Sequence, residues 1–506
     1  MSAGSLQPLS RIQRNSRPKG DLILMKTAGK ALSRRAFIKT CGAGSLAAAC
    51  ACNKSEQATT AHPEKKPNII FILADDLGYG DLGCYGQQVI QTPNIDRLAA
   101  QGLRFTDHYA GSTVCAPSRC CLMTGLHTGH TYIRGNRSVP PSGQEPIPDE
   151  TFTVAELLKQ AGYSTGLAGK WGLGGPGSPG IPNRQGFDYF YGYLCQGHAH
   201  NYYPEFLFRN EERVRLEGNK VRPSRYEGAG VAYEKAQYSH DLIAREGLDF
   251  IGRNRNNPFF LYLALTIPHA NNEAGKEGME VPDDAPYTHS HSDWPQQQKN
   301  HAAMITRMDR DIGAIMTKLK ELGIDENTIV VFSSDNGPHR EGGADPEFFR
   351  SSGPLRGIKR DLYEGGIRVP MIVRWPGKIK PGTVCGHISA FWDFLPTAAE
   401  LAGVQAPTNI DGISYVPALV GKEQKKHTHL YWEFHEGRGT KQAVRMGEWK
   451  AVRLLPSKPL ELYNLTTDIG EKNDVANDHP EIISEIEAYL KNARTESKYW
   501  NLFEKS

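Results

Sequence analysis

Two pairs of oxygen-bearing side chains stand directly after hydrophobic segments of the sequence. Asp75 and Asp76 follow the apolar run Asn68–Ala74, and Asp335 and Asn336 follow another apolar run after two serines. Either pair alone is typical of a turn or a helix cap. Carboxylate and amide oxygens together are the ligands that hard divalent cations prefer in proteins. If both runs are strands of one sheet, the sequence predicts a site for Ca²⁺, or less often Mg²⁺, at their ends.

Cys115 is a candidate nucleophile. It precedes Pro117-Ser118-Arg119 in a segment that we interpret as a loop, and residues 122–125 are typical of the helix that follows. The thiol would then lie near a helix N-terminus, where anions bind. An isolated cysteine is more often a buried packing residue, so the interpretation depends on the residues around it.

These side chains need a scaffold in which strands and helices alternate. The run Asn68–Ala74 is rich in β-branched residues, which predicts a buried strand. Residues 92–102 have a capping threonine, a proline at the first helical position and a closing glycine, which predicts a helix. Similar patterns predict helices at 153–160, 241–251, 302–322 and 391–403, and strands at 164–168, 259–267, 328–332 and 369–375. The fold class is therefore α/β, a large and mostly parallel sheet between helices, with reactive groups beyond the carboxyl ends of the strands.

The pattern changes near residue 405, where the segments become shorter. Strands are predicted at 429–434, 442–446, 449–454 and 460–463, followed by a helix at 481–493. Short strands joined by turns indicate a smaller C-terminal α+β subdomain built on an antiparallel sheet. We expect a catalytic domain at 67–404 and this subdomain at 405–506.

Several motifs resemble those of one enzyme family. The run CAPSR at residues 115–119, followed by LMTG at 122–125, resembles the signature of type I sulfatases in the alkaline-phosphatase superfamily. The resemblance continues, in order, through ADDLGYGD at 74–81, TPNID at 92–96, GKW at 169–171, PH at 268–269, SDNG at 334–337, LRGIK at 355–359 and EGGIRVP at 364–370. It covers nearly the whole chain from Pro67 onwards and implies an alkaline-phosphatase-like fold.

The resemblance implies a modified nucleophile. In that family a maturation enzyme oxidises the cysteine to Cα-formylglycine, whose hydrated aldehyde attacks sulfur and then expels sulfate by re-forming its carbonyl. Cys115 would be this residue, and Arg119 would steady it. A calcium ion would polarise the sulfate and help to generate the nucleophile. The implied metal ligands are Asp75, Asp76, Asp335, Asn336 and the modified Cys115.

Further roles follow for charged residues within the motifs. Lys170 and Lys359 would offset negative charge on the sulfate and on the departing oxygen, and His269 could protonate that oxygen as a general acid. Asp335 would accept a proton from the attacking hydroxyl. Outside these motifs, most such lysines would be solvated surface residues, and His269 would be an ordinary loop histidine.

The chain departs from the family at Gly172. Many members have the sequence GKWHLG, whereas residues 169–174 are GKWGLG. The missing histidine takes the proton when sulfate is eliminated in the family, so a substitute or a different subsite is implied. We hypothesise that one of four histidines fills the gap or binds substrate: His127, His130, His198 and His200.

The C-terminal part offers candidate specificity residues. Residues 431–436, YWEFHE, mix aromatic and polar side chains, as a wall that contacts a sugar would, although tryptophan and phenylalanine are more often core residues. We take His435 and Arg445 as substrate-binding candidates. The resemblance is to bacterial sulfatases that act on sulfated glycans, so we expect a sulfated carbohydrate substrate, with galactose or N-acetylgalactosamine sulfate preferred.

The N-terminus resembles a twin-arginine export signal. Residues 1–60 carry a net charge of +8, and the rest of the chain carries −5, which gives no support for nucleic-acid binding. SRRAFIK at 33–39 precedes a weakly apolar stretch, 41–51, which is too short to span a membrane. We predict an export leader at 1–54, beginning at Met1 or Met25, and a linker at 55–66. The export machinery would deliver the protein to the periplasm or, if Cys50 or Cys52 is lipidated, to the outer membrane through a lipid anchor.

Two other functions compete with sulfate ester hydrolysis. A phosphatase or phosphonate monoester hydrolase would use the same superfamily fold and metal site, although the CxPSR context and Asn336 favour sulfuryl transfer. A lipoprotein that binds sulfated glycans without catalysis is supported only by the missing histidine at Gly172.

Overall fold

The computed structural model describes residues 65–140 and 144–505, so the predicted export leader and lipidation sites lie outside the described residues. The strands are β1 (Asn68–Ala74), β2 (Leu103–Phe105), β3 (His108–Tyr109), β4 (Ser164–Lys170), β5 (Tyr189–Tyr193), β6 (Phe206–Arg209), β7 (Glu212–Arg215), β8 (Lys220–Pro223), β9 (Gly230–Glu234), β10 (Phe259–Ala264), β11 (Thr328–Ser334), β12 (Met371–Arg374), β13 (Thr383–Cys385), β14 (Ser389–Ala390), β15 (Leu430–Phe434), β16 (Lys441–Met446), β17 (Trp449–Arg453) and β18 (Glu461–Asn464). The α-helices are α1 (Pro93–Ala100), α2 (Cys115–Thr124), α3 (Val154–Gln160), α4 (Gln196–Ala199), α5 (Ser239–Asn254), α6 (Tyr287–Ser290), α7 (Gln296–Glu321), α8 (Glu364–Ile367), α9 (Phe394–Ala402), α10 (Val416–Leu419) and α11 (Pro480–Leu490).

A ten-stranded mixed sheet positions the site. Its strand order is β13-β2-β12-β11-β1-β10-β4-β5-β6-β7, and the central strands β11, β1, β10, β4 and β5 are parallel to one another. Towards both edges the order continues through antiparallel pairs, which include β11 with β12 and β5 with β6. The predicted α/β class with a large, mostly parallel sheet is confirmed.

Helices bury both faces of this sheet. Ile70 and Ile72 of β1 belong to the hydrophobic cluster that contains α1, α5 and α7. Ile69, Phe71 and Leu73 alternate with them and belong to the cluster on the opposite face, which contains α2, α3 and α9. Successive side chains of a strand point to opposite faces, so a strand covered on both sides must be apolar throughout.

The C-terminal part contains the predicted antiparallel sheet. β15, β16, β17 and β18 pair in sequence order, and α11 packs against one face of that sheet. The described residues, 65–140 and 144–505, form one compact unit by their contacts. None of the helices within the described residues is long and apolar enough to cross a membrane.

Helix α1 differs from its sequence prediction at the cap. Thr92 occupies the N-cap position, but its hydroxyl accepts a hydrogen bond from Gly83 N at 2.9 Å and donates to Asp96 Oδ1 at 3.1 Å, so it accepts none from the backbone N–H groups of the first turn. The helix ends at Ala100, before the predicted closing glycine. Asp309 of α7 instead accepts hydrogen bonds from the backbone N–H groups of the first turn. A partner distant in sequence has taken the role predicted for Thr92.

Candidate active site

Polar side chains gather at the carboxyl ends of four neighbouring parallel strands. Asp75 and Asp76 follow β1, and Asp335 follows β11. Lys170 is the last residue of β4, and His269 lies in the loop after β10. Because these strands run in the same direction, their ends meet at one edge of the sheet, which is the predicted location.

Cys115 is the first residue of helix α2, with Val114 at the N-cap position. The prediction of a loop around Cys115 was therefore wrong, because the helix begins seven residues earlier than expected. The first turn of α2 is attached to β11, since the Ser118 hydroxyl donates a hydrogen bond to Asp335 O at 2.6 Å. The Cys115 side chain is buried, and this attachment holds it beside the acidic residues at the end of the sheet.

Arg119 connects three parts of the site. Its Nε and Nη2 atoms donate to Asp335 Oδ2 at 3.1 and 2.8 Å, and Nη1 donates to Lys170 O at 2.7 Å. Nη2 also lies 3.6 Å from Asp75 Oδ1. A buried guanidinium that contacts all three residues positions them rigidly relative to one another.

The two lysines each neutralise a carboxylate. Lys170 Nζ donates to Asp75 Oδ2 at 2.7 Å. Lys359 Nζ donates to Asp76 Oδ2 at 2.8 Å, to Glu341 Oε2 at 2.9 Å and to His269 Nε2 at 3.1 Å. Both ammonium groups are buried, so they are held in the site rather than solvated.

The donor set suits a hard cation. Ligand atoms of Asp75, Asp76, Cys115 and His269 all lie within 4.8 Å of one another. Asn336 Nδ2 donates to Asp76 Oδ1 at 2.7 Å. Asp75 Oδ1 and Asn336 Oδ1 are buried and have no hydrogen-bond partner within the described part of the chain. Buried oxygens without a partner are costly, and a divalent cation would satisfy them.

Burial and charge shift the pKa values of these groups in different directions. Burial raises the pKa of the Cys115 thiol, so the unmodified residue would not be a thiolate at neutral pH. Burial and the neighbouring Asp75 carboxylate raise the pKa of Asp335 to about 7. Burial alone would also raise the pKa of Asp75, but the Lys170 and Arg119 cations outweigh it and hold that pKa well below its usual range.

His269 is neutral in this environment. Burial, followed by the charge of Lys359, lowers the pKa of His269 well below its usual value. Its Nδ1 contacts Ala270 O at 2.7 Å, which requires the hydrogen on Nδ1. Nε2 therefore accepts the hydrogen bond from Lys359.

A cavity of about 150 Å³ opens from Cys115 towards the surface. Its lining is polar and includes positive, negative and amide side chains. The lining residues are Cys115, Asn136, Arg137, Ser138, Gln144, Gln196, Gly197, His200, Tyr226, His269, Asn272, Glu273, Lys359 and Arg360.

Comparison with known proteins identifies the family. Residues 67–404 match the sulfatase family model, and residues 358–497 match the model for the C-terminal region of N-sulphoglucosamine sulphohydrolase. The chain belongs to the sulfatase family. This sulfatase is a sulfuric ester hydrolase by family, as the resemblance implied.

Individual relatives cover most of the chain. An N-acetylgalactosamine-6-O-sulfatase of Bacteroides thetaiotaomicron is 32% identical, with coverage of 88% of this chain and 96% of the relative. Human arylsulfatase A is 34% identical, with coverage of 83% and 86%. A crystal structure of Ps i-CgsB in complex with k-i-k-neocarrahexaose is 30% identical, with a TM-score of 0.73 and coverage of 86% of this chain and 94% of that one.

The four histidines considered as substitutes at Gly172 lie in different places in the structure. His200 lines the cavity, contacts Glu273 Oε2 through Nδ1 at 3.1 Å, and stacks on His269 with ring centroids 4.9 Å apart. His127 and His130 lie beyond the C-terminal end of α2, where both contact Asp411. His198 is buried against aromatic side chains and does not line the cavity.

The two C-terminal candidates are also buried outside the cavity lining. His435 Nε2 contacts Glu433 Oε1 at 2.9 Å, and its Nδ1 contacts Thr440. Arg445 donates to Gly447 O and to the Tyr109 hydroxyl. Contact of either residue with substrate remains a prediction, and the bonds that each makes already give it a structural role.

Sequence reasoning missed several polar residues of the sulfatase cavity. Arg360 directly follows Lys359, and Gln196 begins the segment that also holds His198 and His200, so both adjoin recognisable positions. Glu273 had no such signal, because only the path of the loop after β10 brings it to the cavity. Glu341 also had no such signal: it lies after β11, and its side chain bridges the cavity residues Lys359 and Arg360.

Proposed function

We propose that this sulfatase hydrolyses sulfate esters of carbohydrates through an aldehyde formed from Cys115, with Ca²⁺ held beside it. The observation that carries the proposal is a buried Cys115 at the start of α2, next to three carboxylates and three cations. A thiol whose pKa is raised by burial is a poor nucleophile as it stands. Oxidation by a maturation enzyme would convert this thiol to an aldehyde, whose hydrate can act as the nucleophile.

The modified residue and the metal would each supply one kind of chemistry. When formed, the hydrated aldehyde would offer two hydroxyls on one carbon. One oxygen would attack sulfur and displace the alcohol, and loss of the proton from the other hydroxyl would then re-form the carbonyl and expel sulfate. When bound, Ca²⁺ supplies Lewis-acid polarisation of the sulfate oxygens. The residues that would hold it are Asp75, Asp76, Asp335, Asn336 and the modified Cys115.

The fixed charges of the site would bind the sulfate and stabilise the departing oxygen. Lys170 and Lys359 are buried cations at hydrogen-bond distance from carboxylates, so their positions are set before substrate arrives. Lys359 donates a hydrogen bond to His269 Nε2, so transfer of that proton to Nε2 would let His269 protonate the leaving oxygen, with Lys359 as the proton source. Arg119 orients Asp335, which would accept the proton of the attacking hydroxyl.

His200 is our candidate for the proton acceptor in sulfate release. Among the four histidines considered, it is the one that lines the cavity with Cys115. Its Nδ1 faces the Glu273 carboxylate, which orients the ring and leaves Nε2 to face other groups. A histidine whose Nδ1 is held by a carboxylate can present Nε2 as a proton acceptor.

We further propose a sulfated glycan as the substrate, with galactose or N-acetylgalactosamine sulfate preferred. One similar relative is an N-acetylgalactosamine-6-O-sulfatase, and the similar Ps i-CgsB structure contains k-i-k-neocarrahexaose. The mixture of charged and amide side chains around the cavity suits hydroxyl-rich sugars. Export by the twin-arginine leader, with or without a lipid anchor, would place the enzyme where such polymers are found.

The central test measures the modification and the activity together. Mass spectrometry of the peptide that contains Cys115 should show an aldehyde in active protein, and the protein should release sulfate from defined sulfated mono- and oligosaccharides. Cys115→Ala should lower sulfate release by at least about 10³-fold, because the nucleophile is removed. His200→Ala should retain the aldehyde and accumulate a sulfated form of the same peptide.

The matched control is Cys120→Ala, which removes a buried thiol from the same helix without touching the cavity lining. It should keep the aldehyde and most of the activity. Full activity in protein whose Cys115 remains a thiol would refute the mechanism. Faster turnover of 4-nitrophenyl phosphate than of 4-nitrophenyl sulfate would favour a phosphatase or phosphonate hydrolase instead.

A further inference from the structure

Gln196 places an unpaired amide beside the nucleophile. Its Nε2 and Oε1 atoms are both buried, and neither has a hydrogen-bond partner within the described residues. The side chain lines the cavity that also contains Cys115, His269 and Lys359. Burial of an amide without a partner destabilises the folded protein, and the cost is relieved when a ligand supplies the missing hydrogen bonds.

Hydrogen bonds of the sheet fix the main chain on either side of this amide. Trp171 N and Gly172 N donate to Tyr193 O and Leu194 O at 2.9 and 3.2 Å, so the pairing of β4 with β5 continues past the strand ends. Gln196 follows two residues later, and its own N–H donates to Gln144 Oε1 at 3.3 Å. The position of the Gln196 backbone is therefore set by the extended sheet, and the side chain reaches from it to Gly172.

The absence of a side chain at Gly172 makes room for the Gln196 amide, which a Cβ atom at this position would overlap. A Cβ atom at this position would lie 2.1 Å from Gln196 Nε2 and 3.0 Å from its Cδ. Gly172 also has a φ of +82°, which favours glycine. A histidine at residue 172 and the present position of the Gln196 amide are thus mutually exclusive, and the chain places an uncharged carboxamide where many relatives would have an imidazole.

We propose that Gln196 is a substrate-binding residue of this sulfatase, whose amide donates to a sulfate oxygen and accepts from a sugar hydroxyl. This inference rests on the proposed function and extends it to a specificity residue. Sulfate oxygens only accept hydrogen bonds, whereas ring hydroxyls also donate, so a sulfated sugar satisfies both halves of the amide. The carboxamide does not exchange a proton near neutral pH, so its role is binding and orientation.

The test uses Gln196→Leu, which keeps the approximate shape of the side chain and removes both polar atoms. We expect the inhibition constant of inorganic sulfate to rise roughly tenfold and kcat/KM for 4-nitrophenyl sulfate to fall by a similar factor. The pH profile should keep its shape. Without sulfate, Tm should stay the same or rise by about 1–2 °C, because an unpaired buried amide has been removed.

Gln196→Glu provides a second variant with nearly the same size. A carboxylate here would repel the sulfate, so we expect a larger rise in the sulfate inhibition constant than for the leucine variant.

The matched control is Gln185→Leu. Gln185 is buried outside the cavity, and its Nε2 donates to Pro148 O and Pro179 O. This control should lower Tm and leave the inhibition constant unchanged.

The outcomes separate this inference from the proposed function. If the wild-type protein releases no sulfate from any ester, the proposed function fails. Sulfate binding by Gln196 is then tested separately: sodium sulfate should raise Tm more than sodium chloride does in the wild type, and less so in Gln196→Leu. If the wild-type enzyme is active but Gln196→Leu keeps its sulfate affinity and kcat/KM, the assignment of Gln196 is wrong. If Gln196→Leu lowers Tm but leaves the sulfate affinity unchanged, Gln196 has a structural role only, and the assignment is again wrong.

Discussion

At the scale of single residues, the site is a balance of buried charges. Asp75 and Asp76 keep low pKa values because lysines outweigh the effect of burial. Asp335 differs, since burial and the Asp75 carboxylate raise its pKa to about 7 despite the contact with Arg119. A bound divalent cation would stabilise the charged form of Asp335 and lower that pKa. The arrangement therefore predicts a folded protein that is stabilised by the metal.

Metal removal should destabilise the wild-type protein. We expect EGTA to lower Tm and added CaCl₂ to restore it, with about 2.7 kcal/mol of stabilisation when Ca²⁺ exceeds its Kd by about 100-fold. Asp335→Asn removes one charged ligand and should lose most of this response. Thermal unfolding at a series of Ca²⁺ concentrations measures it, and Asp309→Asn serves as a control with an altered buried aspartate far from the cluster. If neither EGTA nor CaCl₂ changes the Tm of the wild-type protein, a resident Ca²⁺ is excluded.

At the scale of elements, contacts between helices complete the local structure. Asp309 of α7 accepts hydrogen bonds from Asn94 N at 2.8 Å and Ile95 N at 2.7 Å. Its other oxygen accepts from the Asn94 side chain at 2.7 Å. The first N–H groups of a helix have no partner within the helix, so a carboxylate from another element can take the place of an N-cap side chain. Helix α1 is thereby attached to the long helix beside it.

Loss of the Asp309 carboxylate should lower the free energy of unfolding. Asp309→Leu leaves two backbone N–H groups without a partner, so we expect a loss of about 1–3 kcal/mol in the free energy of unfolding. Asp309→Asn keeps one acceptor oxygen and should lose less. Urea denaturation followed by circular dichroism compares the two variants. Equal stability of the leucine variant and the wild type would show that water satisfies these groups instead.

At the scale of the whole molecule, the C-terminal sheet shares a hydrophobic cluster with helix α2, since Trp432 and Cys121 belong to the same cluster. Trp432 of β15 packs against Tyr109 and Trp392, with ring centroids 5.3 and 5.5 Å apart, and donates to Ala110 O. Lys450 of β17 donates to the buried Glu364 at 2.9 Å. Loss of the C-terminal residues would expose apolar surface and leave the Glu364 carboxylate without this cation.

Residues 405–506 should therefore not separate from the rest during unfolding. We expect one cooperative transition by calorimetry for the intact protein, and aggregation of a chain that stops at residue 404. Trp432→Ala should lower the stability of the entire transition by about 3–5 kcal/mol. Two separate transitions, with only one of them sensitive to Trp432, would contradict this expectation and support an independent C-terminal subdomain.

The core elements and the chemistry were predictable because their signals are local. A continuous apolar run such as β1 must be buried on both faces, and carboxylates that follow parallel strands must meet at one edge of the sheet. The strands between residues 206 and 234 were not predicted, since each has only four or five residues and at least one charged side chain, and tertiary contacts outweigh their weak local preference.

By itself, the sequence determined the α/β class, the sulfatase motifs and the departure from the family at Gly172. Only the tertiary structure decided which side chains complete the cavity. Gln196 and His200 come from the segment around α4, Glu273 comes from the loop after β10, and Asp309 caps a helix more than 200 residues away in sequence. Motifs and periodicity act over a few residues, whereas these contacts depend on how the sheet brings distant loops together, and no local pattern encodes that path.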